Sequence, residues 1–498
     1  MVCICYYSIQ EERRLCLICN KVVFHYTDRM PDKRDAAERL GTEPVGKLLF
    51  KFSIPAITGM LVNALYNVVD RIFVGQGVNE IALGGLSLVL PLMTIGMAFA
   101  MLFGIGAATM ISLRLGQGRR QEAQNALNHC FFLLIGAGLF IIAVGLVFLE
   151  PILSLLGAQE GSEALGYARD YFRITLYSFV FFMVGFGLSH CTRAQGFPAV
   201  TMIGMILGAV LNIILDALFI LVFQWGVKGA AWATVFAQLA SAIYIIRFVM
   251  GKKAIVRLDF SSFRPSPAIA MQIMAFGSAH FLLQFVMSAV QFLYNKSMGW
   301  YGAAALGVAN GGDIALSGMN INMSIVMLIM MPVFGINQGV QPILGFNYGA
   351  KKYDRVLHAY LRAIAAATAI CTFGFMAMQL FPVQLVRMFT AEGSQALMDF
   401  APRAMRIMMI LLPLNGFQII STNLFVATGR PKISIFLSML RQCLILIPCM
   451  LIFGKLFGLW GVVTAAPVSD GFSFLLIGTM ILFEIRKLRS SSTVRKEA

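Results

Sequence analysis

GAVLNIILDALFIL, residues 208–221, decides the fold class. The stretch is apolar enough to cross a bilayer, yet it carries Asn212 and Asp216 one helical turn apart and therefore on one face. A carboxylate in hydrocarbon is costly, so an ionisable residue at that depth faces a protein interior or a wet cavity and by default marks an ion or proton pathway. Asn212 can hydrogen-bond the carboxylate or share a cation with it. The competing reading is an interhelical hydrogen bond that only holds the bundle together.

Outward from this stretch the chain keeps the same character. Of its 498 residues, 59% are hydrophobic and 12% charged, and the mean hydropathy is +0.79. Soluble domains carry about 25% charged residues, so the composition describes an all-α polytopic membrane protein. From Lys47 onward there are twelve apolar spans, from 48–74 through 461–484, each roughly the 20 residues a bilayer requires. The eighth is read as 303–333, with the segment GINQGVQPILGFNYGAKK following it. An even number of spans puts both termini on one side. The formal net charge of +16 collects in the short gaps, as the positive-inside rule requires, which removes the case for a nucleic-acid partner. Gaps on the side of the termini hold 20 Lys and Arg, tail included, against 8 on the other. Both termini are therefore expected to be cytoplasmic.

Residues 1–43 form a charged N-terminal segment unlike the rest. Cys3, Cys5, Cys16 and Cys19 lack the histidine pattern of a zinc site. No basic-then-apolar run with a cleavage site marks a signal peptide. Residues 1–29 read as an upstream extension ahead of the polar lead-in that begins at Met30. The other five cysteines lie within or at the edge of apolar spans, where they act as small hydrophobes.

The chain repeats itself. Phe103-Gly104-Ile105 and Gly118 recur as Phe334-Gly335-Ile336 and Gly349 at an offset of 231, and Arg173-Ile174 and Pro198 recur as Arg406-Ile407 and Pro431 at 233. So constant a spacing means duplication. Two six-helix lobes, 44–250 and 270–485, are expected to be related by a pseudo-two-fold axis along the membrane normal. Residues 251–269 form a linker between them and 486–498 a basic tail. That architecture most often serves transport at the repeat interface.

Several residues could carry the chemistry. The first span, FSIPAITGMLVNALYNVVDRIFVG (52–75), places Asn63, Tyr66, Asn67 and Asp70 on one polar stripe ending in a carboxylate. Arg71 could neutralise Asp70, although adjacent residues point about 100° apart on a helix. Pro55 removes a backbone hydrogen bond and makes this helix the one most ready to bend. Under the 233 offset, Asn212 and Asp216 correspond to Ile445 and Cys449. A carboxylate needed only to hold six helices together should recur, so its absence favours a specialised cation site in the first lobe. The second half has its own polar residues: Gln284, Ser288, Gln291 and Asn295 on the seventh span, Asn310 and Asp313 in the eighth, Asn415 and Gln418 in the tenth, then Arg441, Gln442 and Asp470. Arg441 and Asp470 are charged, and so are candidates for a functional role or for pairing with each other. Thirty Met and 41 Phe suit a chamber for differently shaped apolar or cationic ligands, though most must be packing or lipid-facing residues. The five histidines are scattered without metal or triad spacing, which argues against a multispan enzyme.

The chain resembles the multidrug and toxic compound extrusion (MATE) transporters, particularly the bacterial branch that includes the MepA-type pumps. The resemblance covers roughly residues 44–485 and rests on YNVVDRIFVG, LGQGRR, NIILD, GVKGAAWAT, GINQGVQPILGFNYGAKK, the RQ pair at 441–442 and APVSD, in that order. It implies a secondary efflux transporter of the bacterial plasma (inner) membrane, without a cofactor. Such a protein is a monomer that exports lipophilic or cationic drugs by antiport with H+ or Na+. It further implies a cation site in the first lobe at Asp70, Asn212, Asp216 and Thr234, with Pro55 as a bending point. Branches with the cation site in the second lobe fit less well, because Ile445 and Cys449 stand where NIILD repeats. The alternative transport reading is a flippase for a lipid-linked or polyisoprenoid precursor, which requires a basic cavity.

Overall fold

The computed structural model describes residues 33–78, 80–155, 163–261, 263–305, 307, 310–390 and 395–497. The expectations for residues 1–29, and for Cys3, Cys5, Cys16 and Cys19, lie outside these described residues. A further repeat in the sequence, Glu160-Gly161-Ser162 and Glu392-Gly393-Ser394 at an offset of 232, also lies outside them. Among the described residues the ordered elements are all helical.

The first lobe contains α1 (Val45–Gly77), α2 (Glu80–Gly116), α3 (Arg120–Val147), α4 (Glu163–Ala194), α5 (Pro198–Asp216) and α6 (Val227–Met250). The second contains α7 (Pro267–Ala305), α8 (Gly311–Gly349), α9 (Tyr353–Leu380) and α10, broken into Gln395–Met408 and Leu412–Ala427. α11 starts at Pro431 and α12 follows a reversal at Gly458. Among the described residues ten helices are long and apolar enough to cross a membrane, and the two pieces of α10, bent by 49°, make an eleventh span. The longest of the ten, the 60 residues Pro431–Ser490, would be about 90 Å long if straight, three times the hydrocarbon thickness. It turns back at Gly458 (φ 61°, ψ −138°), a left-handed conformation open to glycine. It therefore crosses twice, and the total is the expected twelve.

Two expected positions need correction. The apolar run 303–333 contains the turn between α7 and α8, so Asn310 is the exposed residue preceding α8 and Asp313 lies in its first turn. Asn310 thus sits at a helix end rather than within a span. GINQGVQPIL belongs to α8 itself, which runs on to Gly349. The cause is compositional: a turn built from Gly and Ala is as apolar as the helices around it.

Lipid gives helices no hydrophobic reason to associate, so close packing at small residues must hold the lobes together. The seam between them is built this way. A Cβ on Gly116 would overlap the Phe346 carbonyl oxygen, and one on Gly349 would overlap that of Leu113. These two contacts are mates: Leu113 and Phe346, like Gly116 and Gly349, are 233 apart, so the symmetry axis passes between the ends of α2 and α8. Gly106 against Ile273 and Gly339 against Ser53 form a second such pair, in which the glycines of α2 and α8 are again 233 apart while their partners, Ser53 of α1 and Ile273 of α7, are 220 apart. The offset of 231 matched from the FGI triplets is therefore two residues out of register with the packing. Small residues at the seam are what recur in space. Gln341 Nε2 donates to Thr109 Oγ1 (3.2 Å) inside this seam.

All these contacts lie toward the face that carries both termini, called here the basic face. Near the middle of α1 and α8, Gln338 Nε2 reaches the Met60 sulfur at 3.6 Å. Beyond it toward the far face, Leu65 and Val68 of α1, and Phe285 and Phe292 of α7, are exposed. The lobes are thus joined on the basic half.

Two further segments brace the basic face. Lys33–Thr42 forms a short helix leading into α1, and the second lobe takes up the carbonyls at its end. Asn347 Nδ2 donates to Leu40 O (2.8 Å), Lys352 Nζ to Gly41 O (2.9 Å), and Arg355 Nη2 to Glu43 O (2.6 Å). The linker, in turn, is docked on the first lobe. Asn128 of α3 donates to Asp259 O (2.8 Å) and accepts from Asp259 N (3.2 Å), Val256 N donates to Gln195 Oε1 (3.0 Å), and Ser266 N donates to His129 Nε2 (2.8 Å).

Candidate cation site

Four helices of the first lobe bring polar side chains to one depth. Asp70 is seven residues before the end of α1 and Tyr171 eight after the start of α4. Asp216 ends α5 six residues before the close of its wide turn, and Thr234 is seven residues into α6. At 1.5 Å per residue, each lies about 10 Å below the far face. Matching depth from chains running in opposite directions is what a convergent site requires.

Asp216 and Asn212 are 0% and 2% exposed, respectively. Among the described residues neither Asp216 oxygen, neither polar atom of the Asn212 amide, nor Asp70 Oδ1 has a hydrogen-bond partner. The Asp70 and Asp216 carboxyl groups lie against one another and each acts electrostatically on the other. Two carboxylates cannot donate to each other, so their contact leaves both short of a positive partner. Arg71 is near enough to Asp70 to be felt but is exposed and forms no ion pair with it. Thr234 Oγ1 donates to Ala230 O (3.1 Å) within its own helix, and its oxygen is within hydrogen-bond reach of the Tyr171 hydroxyl.

Tyr171, buried at 9% exposure, was not legible as a site residue. Its hydroxyl lies in the field of Asp70, Asp216 and Tyr66. In sequence it sits among Asp170, Arg169 and Arg173, which mark a helix end and conceal which way the ring points. The other unread feature is the turn Ala217–Val222, where α5 widens to π-helical bonding directly after Asp216. Such turns loosen the regular ladder and recur at functional sites.

Buried polar atoms without partners call for an explanation such as an ion or a water. Here the orphaned atoms are mostly oxygens, two of the three groups are anionic, and the set suits a proton or a hard monovalent cation. Among the described residues no cluster of three or more His, Cys, Asp or Glu could hold a metal ion, so soft-metal chemistry has no donor set.

The second lobe handles its charge differently. Arg441 Nε donates to Asp470 Oδ1 (2.8 Å), so the pair neutralises itself. Ser469 Oγ donates to Arg441 O (2.8 Å), Gln418 Nε2 donates to Asp470 O (2.7 Å), and Asn415 adds a bond to the Asp470 carboxylate. Arg441 sits in a second wide turn, Leu440–Leu446.

The remaining candidates are dispersed. Asn63 is exposed on α1 and Tyr66 faces Tyr171, while the Asn67 side chain lies outside the described residues. On α7, Ser288 Oγ donates to Gln284 O (3.1 Å) and Gln291 Nε2 to Asn295 Oδ1 (2.9 Å), which makes a polar strip along an exposed helix face. Pro55 lies inside an unbroken α1. A cavity of about 680 Å³, lined by Arg114, Arg119, Tyr348 and Lys351 among others, lies at the basic end of the seam, far from the acidic site.

The family profile MatE matches residues 55–218 and 279–452. "Multidrug export protein MepA" of Staphylococcus aureus (strain MRSA252) is 28% identical over 445 residues, covering 89% of this chain and 94% of that protein. The protein of the same name from Staphylococcus saprophyticus is 26% identical over 454 residues, covering 91% and 96%. Among solved structures, a MATE in the bent conformation superposes with a TM-score of 0.84 at 25% identity over 92% of this chain and 99% of that one. An outward-facing multidrug resistance MATE family transporter of the MOP superfamily gives 0.83 at 25% identity, over 91% and 98%.

Proposed function

The chain belongs to the MatE family, and we propose that it exports lipophilic or cationic drugs by antiport with H+ or Na+, using Asp70, Asn212, Asp216 and Thr234 as the cation site. Its relatives are transporters, and it is a multidrug efflux transporter of the membrane rather than an enzyme. The observation that carries the coupling reading is the facing carboxylate pair of the first lobe without a basic partner, set against the self-neutralised Arg441–Asp470 pair of the second.

With the site empty, Asp70 and Asp216 repel across a low-dielectric space. One bound positive charge removes that repulsion and draws α1 onto α5. Because α1 also forms the seam with α8, its movement changes how the lobes meet, with Pro55 as the bending point. Cation occupancy and drug occupancy then oppose each other through the same helix, which is the thermodynamic content of antiport. The lobes 44–250 and 270–485 move as units on either side of the linker 251–269. The basic face is cytoplasmic with both termini, the protein sits in a bacterial plasma membrane, and it acts as a monomer.

The test is transport by purified protein in proteoliposomes. Asp216→Asn should abolish drug-driven proton or sodium movement, and movement persisting at the unsubstituted rate would refute the site assignment. The flippase reading needs a basic cavity within the membrane; Arg441 is already engaged by Asp470, and the cavity lined by Arg114, Arg119 and Lys351 lies at the basic end of the seam.

A further inference from the structure

The same lobe buries a second unbalanced charge, of opposite sign, near the basic face. Arg193 in the last turn of α4 is 3% exposed and His190, one turn earlier, 4%. Arg193 Nη2 lies 2.9 Å from His190 Nδ1. A guanidinium only donates, so His190 Nδ1 accepts and the neutral ring carries its proton on Nε2. His190 Nε2 and Arg193 Nη1 are both buried without a partner. Both are therefore donors in search of an acceptor. His280 of α7, whose Nδ1 is also buried without a partner, approaches His190 from the other lobe.

The usual partners are taken or absent. Among the described residues no carboxylate acts on Arg193. A cation in the last turn of a helix is often balanced by free carbonyls, but here backbone amides take them: Gln195 N donates to Cys191 O (3.2 Å), Phe197 N to Thr192 O (3.3 Å) and Gly196 N to Arg193 O (2.9 Å). The duplication again supplies a comparison. At 233 residues further on stand Asn423 and Val426, both buried, so the equivalent place in the second lobe holds no charge. An uncompensated buried cation is strongly unfavourable.

We propose that Arg193 and His190, with His280 closing the site from the second lobe, bind a small monovalent anion such as chloride. One negative charge balances the one guanidinium, and the two orphaned N–H groups supply its hydrogen bonds. This inference stands independently of the cation site. Because His280 lies across the seam, an anion held there links the two lobes on the basic side.

The test uses the full chain. Crystals grown with bromide in place of chloride should show anomalous density in contact with Arg193 Nη1 and His190 Nε2. In parallel, thermal stability is compared in potassium chloride and potassium gluconate at equal ionic strength. Above its dissociation constant, each tenfold rise in chloride should raise the folded-to-unfolded ratio about tenfold, with no such rise in gluconate and none in Arg193→Gln. If Arg193→Gln does not fold, the bromide map and the salt comparison on the unsubstituted protein still decide. Absence of bromide density at the cluster, or identical behaviour in chloride and gluconate, overturns the proposal and leaves water as the partner of the two donors.

Discussion

Neutralising an aspartate should have opposite consequences in the two lobes. In Asp470→Asn, the guanidinium of Arg441 loses its carboxylate while Ser469 and Gln418 keep their backbone bonds. Breaking a buried pair from one side costs about 3–5 kcal/mol, and the side-chain exposure of Arg441, 26% against 10% for Asp470, puts the cost toward the lower end. About 3 kcal/mol corresponds to a folding equilibrium shifted roughly 150-fold. In Asp216→Asn, by contrast, a carboxylate without any donor becomes an amide of the same shape whose N–H groups can donate to Asp70. The gain should be about 1.5–3 kcal/mol, the worth of one hydrogen bond to a charged acceptor. The assay is thermal unfolding of both variants in detergent, in sodium-free alkaline buffer where the site is neither protonated nor filled. Asp470→Asn should unfold well below the unsubstituted protein and Asp216→Asn at or above it. If Asp216→Asn were as destabilised as Asp470→Asn, the first-lobe carboxylates would be structural, and the coupling argument would fall.

Four further outcomes follow from particular contacts. Arg355→Gln removes the guanidinium that holds the carbonyls of Leu40 and Glu43 at the end of the short helix Lys33–Thr42. Closure on the basic face should weaken by about 1.5–3 kcal/mol, read as a shift in spin-label distances between the lobes; an unchanged distribution would mean the short helix travels with the second lobe. Gly116→Val places side-chain atoms on the Phe346 carbonyl, so a cysteine introduced at the basic end of the seam should become accessible to membrane-impermeant thiol reagents in folded protein. Tyr171→Phe removes only the hydroxyl shared with Thr234 and should weaken apparent cation affinity about tenfold, whereas Tyr177→Phe, on the exposed side of the same helix, should leave it unchanged. Asn128→Ala deletes both bonds to Asp259 and should cost about 1–3 kcal/mol of thermal stability without altering that affinity.

The legible parts of this protein are those set by composition and helical period. Twelve spans, two repeats and the pairing of Asn212 with Asp216 on one face all follow from where apolar and polar residues fall along the chain. Asp70 was visible for the same reason, as the end of a stripe. Thr234 came only from resemblance, since one threonine in an apolar helix has no period of its own. Tyr171 was hidden because its neighbours mark a helix end, and only the packing of α4 against α1 and α5 shows which way the ring points. The Gly- and Ala-rich turn before α8 was missed because hydropathy cannot see a break made of apolar residues. Lys33–Thr42 was equally hidden: its partners in the second lobe bind backbone carbonyls, which every residue possesses.

Arg441 and Asp470 show what the coordinates add to such a reading. The residues alone allow either a functional charge or an internal pair, and the 2.8 Å bond selects the pair. That choice gives the duplication its force. Two lobes with the same fold and the same seam differ in how they compensate buried charge: one carries its own counterion, and the other leaves two carboxylates near the far face and a guanidinium near the basic face unbalanced. A lobe that is internally neutral responds little to the ions around it. A lobe with unpaired charges changes its packing energy with every ion it gains or loses, and because α1 belongs both to the acidic site and to the seam with α8, that change is felt where the two halves meet. On the coupling proposed above, the asymmetry between the repeats is what lets ions bias an otherwise symmetric pair of lobes toward one facing or the other.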